Sequence, residues 1–345
     1  MGVKYTNDGL IEDLHFTITI THKCNIHCKY CHLINRDKSI SLDNIDKIAD
    51  FFIKNESEIY KYCKNIVFIF FGGEPLLESD KILYFINKLY YLRTKFVIYT
   101  NGILLNKKII DKLSIFSRDR IMFYISMDGE EKFMLKYRLK NKTQLLNIIK
   151  GIELIKEYKI NFFITKVLLK ETSKELFENL YFLHNLGPRK LDFQPVSNFY
   201  NYKFSKNEIL NILEGLLLFF NYLLKSGYNK NDILNYIGLP KDKRMYNNIF
   251  NYYTGFFLDI DNNVYGLLDG LKLFNYYKTF DILEYKSINV GNILCDKDNL
   301  LYIIKNYYIF EKDMKKIGHI RFNREYSKEF YFNKILANYL IKLLF

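Results

Sequence analysis

Three cysteines lie close together near the start of the chain, at Cys24, Cys28 and Cys31. This Cys-x3-Cys-x2-Cys spacing lets three thiolates converge on one soft metal centre. A zinc site usually adds a second cysteine pair, or a cysteine and a histidine, further along the chain. The two other cysteines, Cys63 and Cys295, are distant from the loop and from each other. Three thiolates on a four-iron cluster leave one iron open to a ligand.

Other uses of the three cysteines agree less well with their surroundings. Free cysteines often pack as small hydrophobic groups, but this loop also holds lysine, histidine and asparagine side chains. A disulfide framework is typical of small secreted chains, whereas this chain has 345 residues. A zinc site that uses His27 or His32 stays open, although it leaves the motifs downstream unexplained.

Three further motifs each follow an apolar run that predicts a β-strand. They are Phe71-Gly-Gly-Glu-Pro75, Thr100-Asn-Gly102 and Ser126-Met-Asp-Gly129, and Arg138 follows the last of them. Paired glycines let the backbone approach a ligand closely. Asn-Gly and Asp-Gly pairs mark turns in any protein, so only their position after a strand makes them informative.

The cysteine spacing, with Tyr30 just before the last cysteine, resembles the radical SAM superfamily, and the three motifs follow in the order that this family has. The resemblance covers about residues 14 to 195. It implies that Cys24, Cys28 and Cys31 hold one [4Fe–4S] cluster, whose fourth iron binds S-adenosylmethionine. It also implies a 5′-deoxyadenosyl radical that takes a hydrogen atom from the substrate.

The resemblance further implies which residues contact S-adenosylmethionine. Backbone carbonyls of Gly72 and Gly73, with the Glu74 carboxylate, are expected to bind the methionine ammonium group. A strand-to-loop turn with an exposed glutamate is the alternative for this motif. Asn101 becomes a neighbour of the ribose only through its position. Tyr30 is expected either to pack on the adenine or to cover the cluster.

The methionine carboxylate is expected to bind Ser126 and Arg138. A solvated helix face beside Lys136 and Lys140 is nearly as good an account of Arg138. We expect Asp128 to form the turn before Gly129 and not to bind a ligand. Lys166 and Gln194 lie near predicted strand ends, so their side chains could face the cavity, although lone polar residues are more often hydrogen bonded or solvent facing.

Strands and helices alternate along the first two thirds of the chain, which predicts βαβ units and a parallel sheet. The predicted strands lie near 14–20, 66–71, 96–100, 121–126, 160–168 and 190–194. The predicted helices lie near 42–55, 79–92, 106–115, 142–158, 173–186 and 206–225. We therefore expect an α/β fold, a partial (β/α)6 TIM-like barrel over residues 14–228, with its motifs at the C-terminal strand ends.

Residues 229–345 resemble the SPASM or twitch domain of peptide-modifying radical SAM enzymes. The segments 255–265 and 289–293 look like its hairpin and its later Gly-Asn-Ile, but the cysteines that bind auxiliary clusters are absent. We expect a degenerate, cluster-free α+β cap. Cys63, in a predicted helix over 58–64, is expected to pack in the core. Cys295 is either core packing or the hydrogen-atom donor of an epimerase, since its thiol is reactive.

The composition narrows the classes of partner that we expect for this chain. The net charge is +13, but no run of five or six like charges and no nucleic-acid motif is present. The apolar stretch Ile209–Leu224 is interrupted by polar residues, which predicts a buried amphipathic helix and no membrane span. With no signal-peptide pattern at the start, we expect a cytoplasmic protein.

The resemblance implies an enzyme that modifies a ribosomally made peptide or a protein residue, by epimerisation, crosslinking or oxidation. An acidic peptide is an open choice, as is a separate peptide-recognition protein. A reductant such as flavodoxin or ferredoxin is expected. The alternatives are a non-catalytic regulator or scaffold of the same fold, which the missing auxiliary cysteines favour, and a small-molecule radical SAM enzyme.

Overall fold

The structure is a computed structural model, which describes residues 6, 9–31, 37–196 and 204–237 and the backbone of three short strands at 255–258, 263–266 and 289–292. Side chains of residues 194 and 195 and of those three strands fall outside this description. The six-stranded parallel sheet predicted from the sequence is present, and so are the helices between its strands. The α/β fold with a partial barrel is therefore confirmed.

The parallel strands occupy nearly the predicted positions. They are β1 (Ile11–Thr21), β2 (Cys63–Gly72), β3 (Thr94–Thr100), β4 (Ile121–Ser126), β5 (Asn161–Leu168) and β6 (Lys190–Pro195). Each strand pairs in parallel with its neighbours in chain order. Since a parallel pair needs a crossover connection, helices separate the strands. All six C-terminal ends consequently lie at one edge of the sheet.

The connecting helices present an apolar face to the sheet. The described helices are α1 (Leu42–Lys54), α2 (Glu56–Ile59), α3 (Ser79–Leu89), α4 (Lys107–Ser114), α5 (Glu131–Tyr137), α6 (Lys142–Glu157), α7 (Leu176–Asn185), α8 (Lys206–Lys225) and α9 (Lys230–Tyr236). The core under them is rich in phenylalanine, and Phe68 lies between Phe52 and Phe85 with edge-to-face ring contacts at 4.8 and 5.0 Å. Such pairs add stability beyond the area that they bury.

Helix α8 carries the apolar stretch noted in the sequence. Among the described helices it is the one long and apolar enough by composition to cross a membrane. It begins with a capping box at Ser205 and Glu208 and buries one face, including Phe219 and Phe220, in the main core. Gly215 lies so close to Leu176 of α7 that a Cβ there would be 2.8 Å from the Leu176 Cβ. These contacts agree with the predicted buried amphipathic helix.

Two sequence predictions need correction or extension here. Cys63 begins strand β2 and does not lie in a helix, because its segment pairs with Ile11 of β1. Its side chain is fully buried, as expected. Beyond residue 229, α9 adds Ile233 and Leu234 to the barrel core. The boundary between residues 228 and 229 stays a prediction.

Three short strands continue the sheet beyond β1. They are β7 (Gly255–Leu258), β8 (Asn263–Gly266) and β9 (Asn289–Asn292). Strand β7 runs parallel to β1, and β7 and β8 form an antiparallel pair. The hairpin predicted near 255–265 is therefore present, and it extends the barrel sheet. The remainder of the predicted cap lies outside the described residues.

Candidate active site

The cysteine loop, residues 22–31, follows β1 and is hydrogen bonded to residues just beyond the ends of three other strands. Glu74, after β2, donates its backbone N–H to the Lys23 carbonyl at 2.7 Å. After β3, the Asn101 amide donates to Asn25 Oδ1, also at 2.7 Å. After β4, Tyr30 donates its phenol hydrogen to the Asp128 carboxylate. The loop is thus attached to three strand ends at the edge where barrel enzymes gather their function.

The three thiols differ in their exposure to solvent. Cys24 and Cys28 are half-buried and Cys31 is exposed. Burial raises the pKa of Cys24, and it raises the pKa of Cys28 to about 11, while Arg138 acts to lower both. The neighbouring thiols act to raise both pKa values further.

The donor chemistry of this loop fits an iron–sulfur cluster. Three thiols of one short loop are soft ligands, and a nearby buried cation favours their thiolate forms. The three thiols do not converge on one metal position. In the described part of the chain, no group of three potential ligands is gathered tightly enough to hold a metal ion. The assignment of Cys24, Cys28 and Cys31 as cluster ligands stays a prediction.

At the two glycines of the motif that ends β2, a side chain would collide with the neighbouring backbone. Gly72 has φ +137°, and a Cβ there would overlap the Thr21 carbonyl oxygen. A Cβ on Gly73 would overlap the carbonyl oxygen of Lys23. The motif therefore brings β2 against the entry to the cysteine loop, whereas the sequence pattern predicted a close approach to a ligand. Contact of these glycines with S-adenosylmethionine stays a prediction.

Glu74 is fully buried. Its carboxylate accepts hydrogen bonds from the Leu76 N–H at 3.0 Å, the Thr100 hydroxyl at 2.8 Å and the Asn101 N–H at 2.7 Å. Burial raises the pKa of this carboxyl group to about 7, and the three donors act in the opposite direction. The carboxylate thus fastens β2 to β3, which differs from the exposed glutamate weighed for this motif. Its contact with an ammonium group stays a prediction.

Asn101 joins the turn after β3 to the cysteine loop. Besides its bond to Asn25, its Oδ1 accepts from the Ile103 N–H at 3.1 Å. The following Gly102 has φ +83°, as the Asn-Gly turn signal predicted. Asn101 is buried, so its described role is to hold two loops together, and the ribose contact stays a prediction.

Asp128 is the centre of a buried polar group that the sequence pattern did not reveal. One carboxylate oxygen accepts from the Val167 N–H at 3.0 Å. The other accepts from the Tyr30 phenol and from Arg138 Nε, the latter at 3.2 Å. Asp128 forms the predicted turn, but it also joins the cysteine loop, β5 and the end of α5. An Asp-Gly pair gives no sign of such long-range partners.

Arg138 and Tyr30 belong to the same group. Arg138 is only 8% exposed, so it does not lie on a solvated helix face. Its Nε donates to the Tyr30 hydroxyl at 3.0 Å, and its Nη1 donates to the Ser126 carbonyl oxygen at 2.9 Å. The Arg138 guanidinium lies 5.7 Å from the Tyr30 ring centroid. The predicted pair Ser126 and Arg138 is therefore brought together, and its carboxylate ligand stays a prediction.

Two more buried residues support this turn. Lys166 is fully buried on β5 and donates to the Asp128 carbonyl oxygen. Asn179 of α7 accepts from the Glu130 N–H at 3.0 Å, and a Cβ on Gly129 would overlap its side chain. The sequence held one signal for Lys166. It occupies an apolar alternating row with Ile164 and Leu168, where a lysine is out of place.

The inner face of the barrel carries a row of aromatic rings. Phe71, Tyr99, Tyr124 and Phe163 lie side by side on consecutive strands β2 to β5. Tyr99 and Tyr124 are stacked at 4.6 Å, and each end of the row has an edge-to-face contact. The row continues to Lys190 on β6, whose Nζ lies 6.0 Å from the Phe163 centroid. Together with Val67, Ile69 and Val97, the row forms an apolar patch on the inner face.

The lysines of this inner face are paired with carboxylates. Lys190 lies 3.7 Å from Asp192, and Lys95 lies 2.8 Å from Asp13.

The predicted site residue Cys295 lies outside the described residues, and its role stays a prediction.

Comparison with known proteins shows what this chain is similar to. Residues 18–183, slightly less than half of the chain, match the model of the Radical SAM superfamily. An uncharacterized protein of Methanocaldococcus jannaschii is 29% identical over 68% of this chain and 78% of its own length. A cysteine-type anaerobic sulfatase-maturating enzyme of Clostridium novyi is 32% identical over 50% of this chain and 48% of its own.

The chain is also similar to a protein that is named for a different reaction, and to a solved structure. A probable GTP 3′,8-cyclase of Sulfurisphaera tokodaii is 33% identical over 45% of this chain and 48% of its own length. The chain thus spans about half the length of the sulfatase-maturating and cyclase relatives. A structure of native anSMEcpe with bound AdoMet and the Cp18Cys peptide has a TM-score of 0.60 and 19% identity, covering 84% of this chain and 80% of that one.

Proposed function

Because the chain belongs to the radical SAM superfamily, we propose that it modifies a residue of a ribosomally made peptide or of a protein. It is an enzyme of the kind that uses a [4Fe–4S] cluster and S-adenosylmethionine. When bound, these two groups supply a 5′-deoxyadenosyl radical that takes a hydrogen atom from the substrate. The observation that carries the proposal is the attachment of the cysteine loop to the ends of β2, β3 and β4.

The chain's own residues orient the cofactor in this proposal. Cys24, Cys28 and Cys31 hold the cluster on a loop that Tyr30 fixes to the barrel. Ser126 at the end of β4 and Arg138 at the end of α5 receive the methionine carboxylate, since hydrogen bonds already hold Arg138 beside Ser126 and Asp128. The apolar patch of the inner face excludes water below the site, which protects a radical from side reactions.

Two features support a peptide over a nucleotide as substrate. The sulfatase-maturating relative and the peptide-bound structural neighbour both point to peptides. A triphosphate needs several free cations, but both inner-face lysines of the described strands are paired with Asp13 and Asp192. The aromatic row beside them suits an uncharged side chain.

A nucleotide is the second candidate substrate, since the probable GTP 3′,8-cyclase is among the relatives. GTP added to the reduced enzyme tests this directly. If GTP increases 5′-deoxyadenosine formation and is itself consumed, the small-molecule alternative is correct and the peptide proposal fails. We expect GTP to change neither quantity.

The reaction type rests on Cys295. As a hydrogen-atom donor, its thiol would complete an epimerisation. Cys295→Ala should then lower product while 5′-deoxyadenosine continues to form, and the cluster content should stay normal. Full product from this variant would show that Cys295 is structural and would favour crosslinking or oxidation.

Anaerobic incubation with candidate peptides, followed by mass spectrometry, tests the substrate class. The peptides should include small acidic ones encoded beside the gene, because the chain has a net charge of +13. Dithionite replaces the flavodoxin or ferredoxin that we propose as reductant. A mass change in one peptide that requires both S-adenosylmethionine and the cysteine loop supports the proposal. No change in any peptide, together with turnover of a small molecule, would refute it.

A further inference from the structure

Two buried cations and one buried carboxylate meet at the turn after β4. Lys166 is 0% exposed, Arg138 is 8% exposed and Asp128 is 2% exposed. Buried charges are costly unless each has an opposite partner. Asp128 can balance only one of the two cations, so this group carries an excess positive charge when Lys166 is protonated.

Lys166 is attached to the turn through a single contact. Its ammonium group donates to the Asp128 carbonyl oxygen, its one hydrogen bond among the residues that the structure describes. An ammonium group has three donors. The side chain lies on the helix-facing side of β5, in one row with Ile164 and Leu168, which are both buried. Lys166 therefore does not line the barrel interior, and it acts on a ligand only through the turn.

The negative charge of the Asp128 carboxylate disfavours the binding of an anionic ligand at this turn. It lies beside Arg138, whose Nη1 also holds the Ser126 carbonyl oxygen. An approaching carboxylate is attracted by Arg138 and repelled by Asp128, so these two charges nearly cancel at a distance. A second cation, Lys166 at the Asp128 carbonyl oxygen, restores a net attraction.

We propose that Lys166 is a positioning residue that prepares the turn at Ser126–Gly129 for a ligand carboxylate, by holding the Asp128 carbonyl oxygen and by offsetting the Asp128 charge. The inference rests on the proposed function, because the carboxylate is that of S-adenosylmethionine. It assigns a role to the one lysine that, among the described residues, is buried in the helix-facing layer.

The titration of Lys166 supports this role. Burial lowers the pKa of Lys166 to about 8, Asp128 acts to raise it, and Arg138 acts to lower it. No other charged group in the described part of the chain is a cause of this shift. A bound carboxylate would favour the protonated lysine, and by linkage the protonated lysine favours the bound carboxylate.

The experiment compares two ligands on cluster-loaded protein by anaerobic calorimetry. S-adenosylmethionine has the carboxylate, and 5′-methylthioadenosine lacks the whole amino-acid portion. Lys166→Met removes the charge and the hydrogen bond, whereas Lys166→Gln keeps a donor for the Asp128 carbonyl oxygen. Lys95→Met is the matched control, since Lys95 pairs with Asp13 near the opposite ends of the strands.

We expect Lys166→Gln, which loses only the charge, to bind S-adenosylmethionine about tenfold more weakly, and Lys166→Met, which also loses the hydrogen bond, to bind it more weakly still. Their affinity for 5′-methylthioadenosine should stay within about twofold of the unaltered protein, and Lys95→Met should change neither affinity. Equal losses for both ligands, or no loss, would overturn the inference while leaving the proposed function intact. A Lys166→Gln protein that fails to fold would show a purely structural lysine, with the same consequence.

The unaltered protein distinguishes a failure of this inference from a failure of the proposed function. If it binds S-adenosylmethionine, the proposed function stands whatever the variants do. If it binds neither ligand when loaded with iron and sulfide, both the proposed function and the role of Lys166 are wrong.

Discussion

At the scale of single residues, the site is built from polar groups that the chain uses for its own architecture. Glu74, Asn101 and Asp128 each follow a different strand, and each is buried and hydrogen bonded across the chain. Buried polar groups that are fully satisfied specify one geometry. The motifs therefore fix the positions of the loops before any ligand is present.

Glu74→Gln tests this structural role. At pH 5 we expect the free energy of unfolding to fall by about 1–3 kcal/mol, because both oxygens of the carboxyl group can accept from an N–H group, whereas the amide nitrogen cannot. The measurement is urea unfolding followed by circular dichroism. Glu131→Gln is the control, since Glu131 forms a largely exposed ion pair with Lys142 and should cost less than about 1 kcal/mol.

The same variant has a predictable pH dependence. The folded-state pKa of Glu74 is raised to about 7, so the folded protein holds a proton that the unfolded chain has already lost. The stability that protonated Glu74 contributes is complete below the pKa of the unfolded state, about 4.5. It is lost as the pH rises through about 7. The difference in unfolding free energy between the unaltered protein and Glu74→Gln should thus narrow from pH 5 to pH 8. A difference that widens over this range contradicts the raised pKa.

The sequence located most site residues but not their partners. Spacing alone singled out Cys24, Cys28 and Cys31 as a group, and the strand-end motifs placed Glu74 and Ser126 at the same edge of the sheet. The buried group of Tyr30, Asp128, Arg138 and Lys166 was not predicted. Its members lie up to 136 positions apart in a chain where only the fold brings them together.

At the scale of elements, each loop at the C-terminal edge is fixed by a neighbouring element. The turn after β4 is held from α7, where Asn179 accepts from the Glu130 N–H. Gly129 has φ +143° and lies against the Asn179 side chain. This contact lets α7 position the turn that carries Ser126 and Asp128.

Gly129→Ala should therefore destabilise the protein by more than about 2 kcal/mol. Its methyl group meets Asn179, and its φ is unfavourable for alanine. Gly227→Ala is the matched control, since Gly227 also has a positive φ, of +92°, but a methyl group there would meet nothing within 4 Å among the described residues. The control should cost about 1 kcal/mol from backbone strain alone. Equal losses of thermal stability in the two variants would mean that the Asn179 contact is unimportant.

The sequence predicted the positions of the strands and helices better than it predicted the exact role of each. Apolar runs separated by helical patterns located all six parallel strands, because the central strands are buried on both faces. The predicted helix at 58–64 was wrong, since Cys63 is drawn into β2 by pairing with Ile11. The short helices α5 and α9 have too few turns for their pattern to stand out in the sequence.

At the scale of the whole molecule, one barrel gathers all the described functional residues at a single edge. The fold requires no auxiliary cluster to build this edge, because hydrogen bonds from Glu74, Asn101 and Asp128 attach the cysteine loop. One cluster per chain is therefore the expected iron content.

Anaerobically reconstituted protein should hold about four irons and four sulfides per chain. Replacing Cys24, Cys28 and Cys31 together by alanine should leave almost no iron, as measured by colorimetric iron and sulfide assays. Cys63→Ala is the control and should keep the full content, because Cys63 is buried in the core at the start of β2. A reproducible count near eight irons would show a second cluster and would refute the cluster-free cap predicted for residues 229–345.

The most direct test of the central claim is the formation of 5′-deoxyadenosine. Cluster-loaded, dithionite-reduced protein is mixed with S-adenosylmethionine under anaerobic conditions, and the products are separated by liquid chromatography and identified by mass. We predict 5′-deoxyadenosine and methionine in equal amounts, slowly alone and faster with the true substrate, and none from the triple cysteine variant. If protein with about four irons per chain forms no 5′-deoxyadenosine even with every candidate substrate, the account is contradicted.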